Sequence, residues 1–240
     1  MDDLKRYEEL VKTIEYHNDR YYNQDDPEIS DYEYDMMMKE LKKIEKDHPE
    51  FVTPNSPTQH VGGSAKREAG VLVRHRVPML SLQDVFSKEE VQEFVESMQE
   101  TLVDPVFVVE YKIDGLSMAL RYENGLLTTA ITRGDGIIQG EDVTVNAKVI
   151  KDVKNKLKEP IEYLEVRGEV YMTNEAFDKV NEIQELNNKK TFANPRNCAA
   201  GTLRQLDSRI TKQRNLSMFI LIFKIFEEKK LRVIVKVMNI

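Results

Sequence analysis

Cysteine is nearly missing from this chain. Cys198 is the only one, so neither an intrachain disulfide nor a cysteine zinc site can form. Long apolar runs are missing too: the longest, Met218 to Phe226, is broken by Lys224 and falls far short of the ~20 residues of a membrane-spanning helix. No membrane partner is therefore expected. The opening Met1-Asp2-Asp3-Leu4-Lys5 lacks a basic region followed by an apolar core, so it does not read as a secretory signal. Nor is there an excess of positive charge. The 42 Asp and Glu outnumber 35 Lys and Arg, giving a net charge of −7, so global charge does not announce a nucleic-acid partner. What these absences leave is a soluble, cytoplasmic α+β protein, and 240 residues suffice for one large domain or two smaller ones.

Charge is unevenly spread. The first fifty residues carry an excess of acids, whereas Lys189 to Arg214 holds seven cations and one acid, Asp207. A locally basic segment on an acidic protein is a candidate phosphate-contacting surface.

Taken in order, Leu4, Tyr7, Leu10, Val11 and Ile14 recur at helical spacing, and Asp25-Asp26-Pro27 breaks that first helix. Ser30, with Glu33 three residues on, reads as a capping box opening a second helix with the stripe Tyr34, Met37, Met38, Leu41 and Ile44. The pair forms an αα-hairpin. Asp31 and Asp35 share a face of its first turn, where carboxylates also suit the positive end of a helix. Phe51 to Arg74 is rich in Pro and Gly and reads as loop, and we place a boundary there between a unit 1–68 and a unit 69–240. Ser87-Lys88-Glu89-Glu90 reads as a second capping box, starting a helix to about Gln99.

The chain is organised around Val106 to Gly136. Val106 to Tyr111 is a β-branched, apolar run expected to pair inside a sheet, and Lys112 ends it before the turn signal Ile113-Asp114-Gly115. Two further strands, Leu116 to Glu123 and Leu126 to Arg133, are joined by Asn124-Gly125, the dipeptide of a type I′ turn. A regular hairpin then opposes Arg121 to Thr128, Ala119 to Ala130 and Leu116 to Arg133, which brings Arg133 beside Lys112 and Asp114. Lys112 could merely snorkel. It could also be a nucleophile, if desolvation and nearby cations make a neutral amine available. Further on, Arg133-Gly134-Asp135-Gly136 with Gly140-Glu141-Asp142 is a glycine-rich loop without P-loop spacing. Tyr163 to Tyr171 alternates apolar and charged residues like a half-buried strand with a solvated charged face, and Asn174 to Leu186 reads as a helix. Arg196 and Arg204 lie in the small-residue run Phe192 to Asp207, as phosphate contacts or as a solvated basic loop.

The string Glu110-Tyr111-Lys112-Ile113-Asp114-Gly115 resembles the Lys-x-Asp-Gly motif of covalent nucleotidyltransferases, whose lysine carries AMP or GMP as a phosphoramidate. Tyr21-Tyr22, Asp26-Pro27-Glu28-Ile29-Ser30-Asp31 and Tyr34-Asp35 resemble the N-terminal helical module of bacterial NAD-dependent DNA ligases. Thr53-Pro54-Asn55-Ser56-Pro57-Thr58, Val61-Gly62-Gly63 and the run Phe192 to Asp207 are similar to the same family, with one extra residue within Ile137-Ile138-Gln139. The likeness covers residues 4–220 and ceases near Leu221, so the chain reads as an N-terminal adenylation region that is truncated or altered at its C-terminus. The downstream lysine motifs, zinc finger, helix-hairpin-helix and BRCT regions of full-length ligases are not found.

The resemblance implies a small helical module that binds nicotinamide mononucleotide, then an ATP-grasp-like nucleotidyltransferase domain of antiparallel sheets with flanking helices. It implies that Lys112 attacks NAD, the AMP donor, and releases nicotinamide mononucleotide, with Mg²⁺ or Mn²⁺ riding on the cofactor's phosphates. Tyr21, Tyr22, Asp31, Tyr34 and Asp35 would line the nicotinamide site. Ser81, Leu82 and Glu110 would lie against the adenosine, Arg133 and Glu169 at the sugar, and Asp114 within the motif turn. Arg196 and Arg204 would engage phosphates of nicked duplex DNA, and a bacterial, cytoplasmic monomer is expected. Two other readings stay open: an inactive fragment that binds NAD or nicotinamide mononucleotide without chemistry, and an ATP-dependent nucleotidyltransferase.

Overall fold

The computed structural model describes residues 3–23, 27–59, 71–82 and 84–225. Two helices open it, α1 (Asp3–Asn18) and α2 (Asp31–Asp47), joined in part by a π-helical turn at Asp19–Asn23. Tyr7, Leu10 and Ile14 of α1 are buried against Leu41 of α2, with Met37, Met38 and Ile44 packed around them. The helical spacing of these residues is what turns one apolar stripe of each helix toward the other. Both arms of the capping box form. Ser30 Oγ accepts from the Glu33 N–H at 3.2 Å, and the Glu33 carboxylate accepts from the Ser30 N–H at 2.8 Å. The expected boundary between units lies within residues 60–70, outside the described residues.

A short strand β1 (Leu72–Arg74) precedes α3 (Lys88–Thr101). Ser87 caps α3 through the Glu90 N–H, but the Glu90 side chain accepts from the Phe86 N–H at 2.6 Å, so the second capping box lacks its return arm to Ser87. Next come β2 (Leu116–Glu123), β3 (Leu126–Thr132), β4 (Gln139–Glu141), α4 (Thr144–Ala147), β5 (Tyr163–Tyr171), α5 (Asn174–Leu186), α6 (Pro195–Leu203), α7 (Ser208–Gln213) and β6 (Ser217–Ile225). Four strands form an antiparallel sheet in the order β3-β2-β5-β6, and β1 pairs β4 in a separate ribbon.

Asn124 and Gly125 both take positive φ, 49° and 75°, as the type I′ turn requires. The register departs from the regular hairpin beyond Tyr122. Arg121 faces Thr129 and Ala119 faces Ile131, because Thr128 is an unpaired bulge residue. The slip sets Ser117, not Leu116, against Arg133, whose N–H donates to the Ser117 carbonyl at 3.1 Å.

One face of the sheet carries Met118, Leu120, Tyr122, Leu164, Val166 and Val170, buried beneath Ala147, Val180, Cys198, Ala199 and Leu203 of the helices. The opposite face is not solvated, contrary to the alternating pattern's expectation. Glu165 is 0% exposed, Arg167 6% and Arg121 8%. Glu165 accepts from Arg121 Nε and Arg167 Nε at 2.9 Å each, so one buried carboxylate serves as counter-charge to both guanidiniums. The arginines also donate to the carbonyls of Arg74, Val77 and Pro78, which clamps that segment over the sheet.

Two other expectations fail. Val106 to Tyr111 is not a strand: no ladder pairs it among the described residues, and Val106, Val109 and Tyr111 are 89%, 97% and 87% exposed. A β-branched run fits a sheet only where a neighbouring strand offers its free edge. The basic stretch around Arg196 is not a solvated loop either, since Asn197 to Ala200 of α6 are buried. No helix among the described residues is long and apolar enough to cross a membrane.

Candidate active site

The two sequence motifs meet at the end of the ionic face of the sheet. Alternation along β2 and β5 places Ser117 and Glu169 on the same face as the triad, directly opposite each other. Ser117 Oγ donates to the Glu169 carboxylate at 2.7 Å. The Lys112–Gly115 turn closes onto this end through Gly115. A Cβ there would lie 2.2 Å from the Val170 carbonyl oxygen, so only glycine allows the approach.

Lys112 itself is exposed, so the desolvation expected around it is not supplied by the described residues. Its charge is felt by three carboxyls that come from three separate elements. Glu169, on β5, is held above its usual range by burial, against the opposing pull of Ser117, Lys112 and Arg133. Asp35, on α2, is raised by burial and by Asp84 and Asp31, while Lys42 and Lys112 oppose this. Asp114 is raised by burial and by Asp31, again opposed by Lys112. Its side chain is nonetheless 68% exposed, so solvent screens the effect and it carries no stability claim. The N-terminal helices and the motif turn thus share one electrostatic site. Burial is the main cause of all three displacements; at Asp35 and Asp114 the charge of Asp31 adds to it, and a positively charged group placed there would relieve that repulsion.

Arg196 joins these parts physically. Its Nε donates to the Gly115 carbonyl at 2.7 Å and lies 3.4 Å from Asp114 Oδ1. The guanidinium carbon sits 4.4 Å from the ring centroid of Tyr21, in the turn after α1. Burial, reinforced by Arg204, lowers its pKa to about 10, which leaves it protonated at neutral pH. Arg204 Nε donates to Glu141 at 3.0 Å, and both arginines line a cleft with Tyr21, Leu116 and Ala200. The Asn197 Nδ2 in the same cleft wall is buried without a hydrogen-bond partner.

The other expected residues are spread around this centre. Arg133 Nη1 donates to Ser81 Oγ at 3.0 Å, and Leu82 beside it is 74% exposed. Asp135 Oδ1 accepts from the N–H groups of Ile137, Ile138 and Gln139, which closes the loop after Arg133. Tyr34 Oη donates to Asn18 at 2.7 Å, so it ties α2 to α1. Asp31 is exposed at the first turn of α2, and Tyr22 lies in the π-helical turn. Glu110 is exposed on the unpaired segment. Asp84, which shapes the potential at Asp35, and the Arg121–Glu165–Arg167 clamp were missed by sequence reasoning. An isolated Asp in a loop and charges alternating along a strand carry no local mark of their partners.

Comparison with known proteins decides which family has this arrangement. Residues 70–239 match the NAD-dependent DNA ligase adenylation domain, and residues 1–62 match the DNA ligase-like, N-terminal NAD+-binding domain. The chain belongs to the NAD-dependent DNA ligase family. The adenylation match runs past Leu221, so the family likeness extends further than the residue pattern indicated, in keeping with β6 continuing to Ile225. A DNA ligase of Clostridium kluyveri is 57% identical over 230 residues, 96% of this chain and 34% of its own. DNA ligases of Caldicellulosiruptor saccharolyticus and Clostridioides difficile are 55% and 48% identical, over 90% and 91% of this chain and 32% of each relative. The chain therefore spans about a third of the length of the curated relatives it matches.

Proposed function

We propose that this chain is the adenylation region of an NAD-dependent DNA ligase, with residues 1–68 binding the nicotinamide mononucleotide half of NAD and residues 69–240 transferring its AMP. The observation that carries the reading is the Lys112–Gly115 turn joined to the N-terminal helical unit through Arg196, which holds the Gly115 carbonyl and faces Asp114 and the Tyr21 ring, at the sheet end where Ser117 bonds Glu169. A nicotinamide ring is cationic, and the mutually repelling carboxyls of Asp31, Asp35 and Asp114 suit it. Tyr21, Tyr22 and Tyr34 offer aromatic faces of the type that binds such rings.

In the proposed step, Lys112 Nζ attacks the adenylyl phosphorus of NAD as the neutral amine, having lost one proton to solvent, and loses a second to solvent as the bond forms. An N–P bond forms, the P–O bond to the nicotinamide mononucleotide phosphate breaks, and that phosphate leaves with the electron pair. Ser81, Leu82 and Glu110 are assigned to the adenosine, and Arg133 and Glu169 to its sugar. Arg196 and Arg204 are assigned to phosphates of a nicked duplex, whose 5′-phosphate receives the AMP before the 3′-hydroxyl displaces it. A divalent cation, Mg²⁺ or Mn²⁺, neutralises phosphate charge in such transfers. Among the described residues no cluster of three or more His, Cys, Asp or Glu could hold a metal, so the NAD phosphates would supply most of its ligands. We assign the chain to the bacterial cytoplasm as a monomer.

Label transfer tests the reading. With NAD labelled in its adenylyl phosphate, label should become bound to the protein through an alkali-stable, acid-labile N–P bond, and free nicotinamide mononucleotide should appear in equal amount. Labelled ATP should leave the protein unlabelled. Labelling by ATP but not by NAD would assign the chain to the ATP-dependent class instead. Binding of nicotinamide mononucleotide without any labelling would leave an NAD-binding fragment that performs no chemistry.

A further inference from the structure

We propose that Arg196 is a positioning residue that pins the Lys112–Gly115 turn and the N-terminal helical unit to one another, a role distinct from contact with a DNA phosphate. The segment that carries Lys112 has no sheet partner among the described residues, so its geometry depends on few contacts. Gly115 meets the Val170 carbonyl on one side, and Arg196 Nε donates to the Gly115 carbonyl at 2.7 Å from the other. The same guanidinium faces Asp114 at 3.4 Å and the Tyr21 ring at 4.4 Å. Arg196 is rooted on the first turn of α6, whose neighbours Asn197 and Cys198 are 2% and 0% exposed, so the pin stands on a rigid support.

A planar guanidinium is suited to this double duty, because its edge donates hydrogen bonds while its face stacks on a ring. Lysine has a comparable charge but no such plane, and cannot hold the carbonyl and the ring in the same way. Tyr21 lies just after α1, and the Tyr34 hydroxyl on α2 donates to Asn18 Oδ1 at the end of α1. A fixed Arg196–Tyr21 contact therefore sets where the α1–α2 unit, with Asp31 and Asp35, stands relative to Lys112. Loss of Arg196 should loosen two places that are far apart in sequence.

The inference rests on the adenylation reading only for its kinetic test, so it is paired with a measurement that needs no activity. Hydrogen exchange by mass spectrometry is compared for the chain and for Arg196→Gln, Arg196→Lys and Tyr21→Leu. Both Arg196 variants should speed exchange in peptides covering 111–117 and 18–22, whereas Tyr21→Leu should speed only the second. Arg196→Lys keeps the charge and serves if Arg196→Gln does not fold. Faster exchange confined to α6, with both peptides unchanged, overturns the proposal.

In AMP transfer from NAD, Arg196→Lys should lower kcat/KM by about 100-fold, the scale of a misplaced reacting group. Tyr21→Leu should act mainly through KM for NAD, and it should cost less in the Arg196→Lys background than it does alone, because the shared contact is already lost. Independent, multiplying effects of the two changes would also overturn the pin. Absence of labelling in the unmodified chain would sink the adenylation reading alone, and the exchange result would still decide the role of Arg196.

Discussion

Replacing Glu165 by glutamine tests the ionic clamp beneath the site. Glu165 is 0% exposed and accepts hydrogen bonds from Arg121 Nε, Arg167 Nε and Arg167 Nη2 at 2.9, 2.9 and 2.7 Å. Glu165→Gln leaves two buried guanidiniums without a counter-charge, and breaking a buried pair in this way costs about 3–5 kcal/mol. That is a large part of the ~5–15 kcal/mol total stability of a typical domain. The sequence has no tryptophan, so unfolding in urea is best followed by circular dichroism. At a slope of ~2–3 kcal/mol per molar, the midpoint should fall by about 1–2 M. Acidity supplies a second check. Burial pushes the Glu165 carboxyl up, but the bonds from Arg121 and Arg167 outweigh it and hold the pKa below the ordinary value. A depressed carboxyl stabilises above its unfolded pKa, about 4.3, and that contribution is lost as pH falls through the folded value. The two chains should therefore differ fully at neutral pH and converge in acid. A Glu165→Gln midpoint within error of the unmodified chain at neutral pH would refute the clamp. Apolar replacement of the whole triad should also destabilise, because the Arg74, Val77 and Pro78 carbonyls would lose their donors.

Three further outcomes follow from the geometry. Gly115→Ala should abolish AMP transfer while melting cooperatively, because its Cβ would lie 2.2 Å from the Val170 oxygen and must push the Lys112 turn away; an active Gly115→Ala would contradict that contact. Ser30→Ala removes one arm of the capping box on the helix that carries Asp31 and Asp35, and should cost ~1 kcal/mol in urea unfolding along with a rise in KM for NAD. Asp35→Asn should weaken nicotinamide mononucleotide binding in calorimetry yet stabilise the fold. The Asp35 pKa is raised in the folded state by burial, Asp84 and Asp31, so ionisation opposes folding at neutral pH. That gain should be present above the folded pKa and disappear below the unfolded value, about 3.9; a gain that persists in acid would contradict its electrostatic origin.

Local features of this protein could be read from sequence, and features that depend on a distant partner could not. The capping box at Ser30 and the turn at Asn124-Gly125 are encoded within four residues, and both form. The Thr128 bulge moves the register by one, and threonine there is as suited to a regular strand as to a bulge. Val106 to Tyr111 has the composition of a strand, but composition describes a side-chain fit and supplies no partner. The period-2 pattern of Tyr163 to Tyr171 correctly groups Glu165, Arg167 and Glu169 on one face. It cannot say that Arg74 to Pro78, about ninety residues earlier, covers that face. Arg196 shows the same limit: its motif points to an anion, while its bond to Gly115 spans 81 residues.

The most direct test of the account is intact mass after incubation with NAD and Mg²⁺, for this chain and for Lys112→Ala. The account predicts a gain of one AMP, about 329 Da by composition, on the unmodified chain and none on Lys112→Ala. An adduct of the same mass on Lys112→Ala would place the nucleophile elsewhere and contradict the central claim.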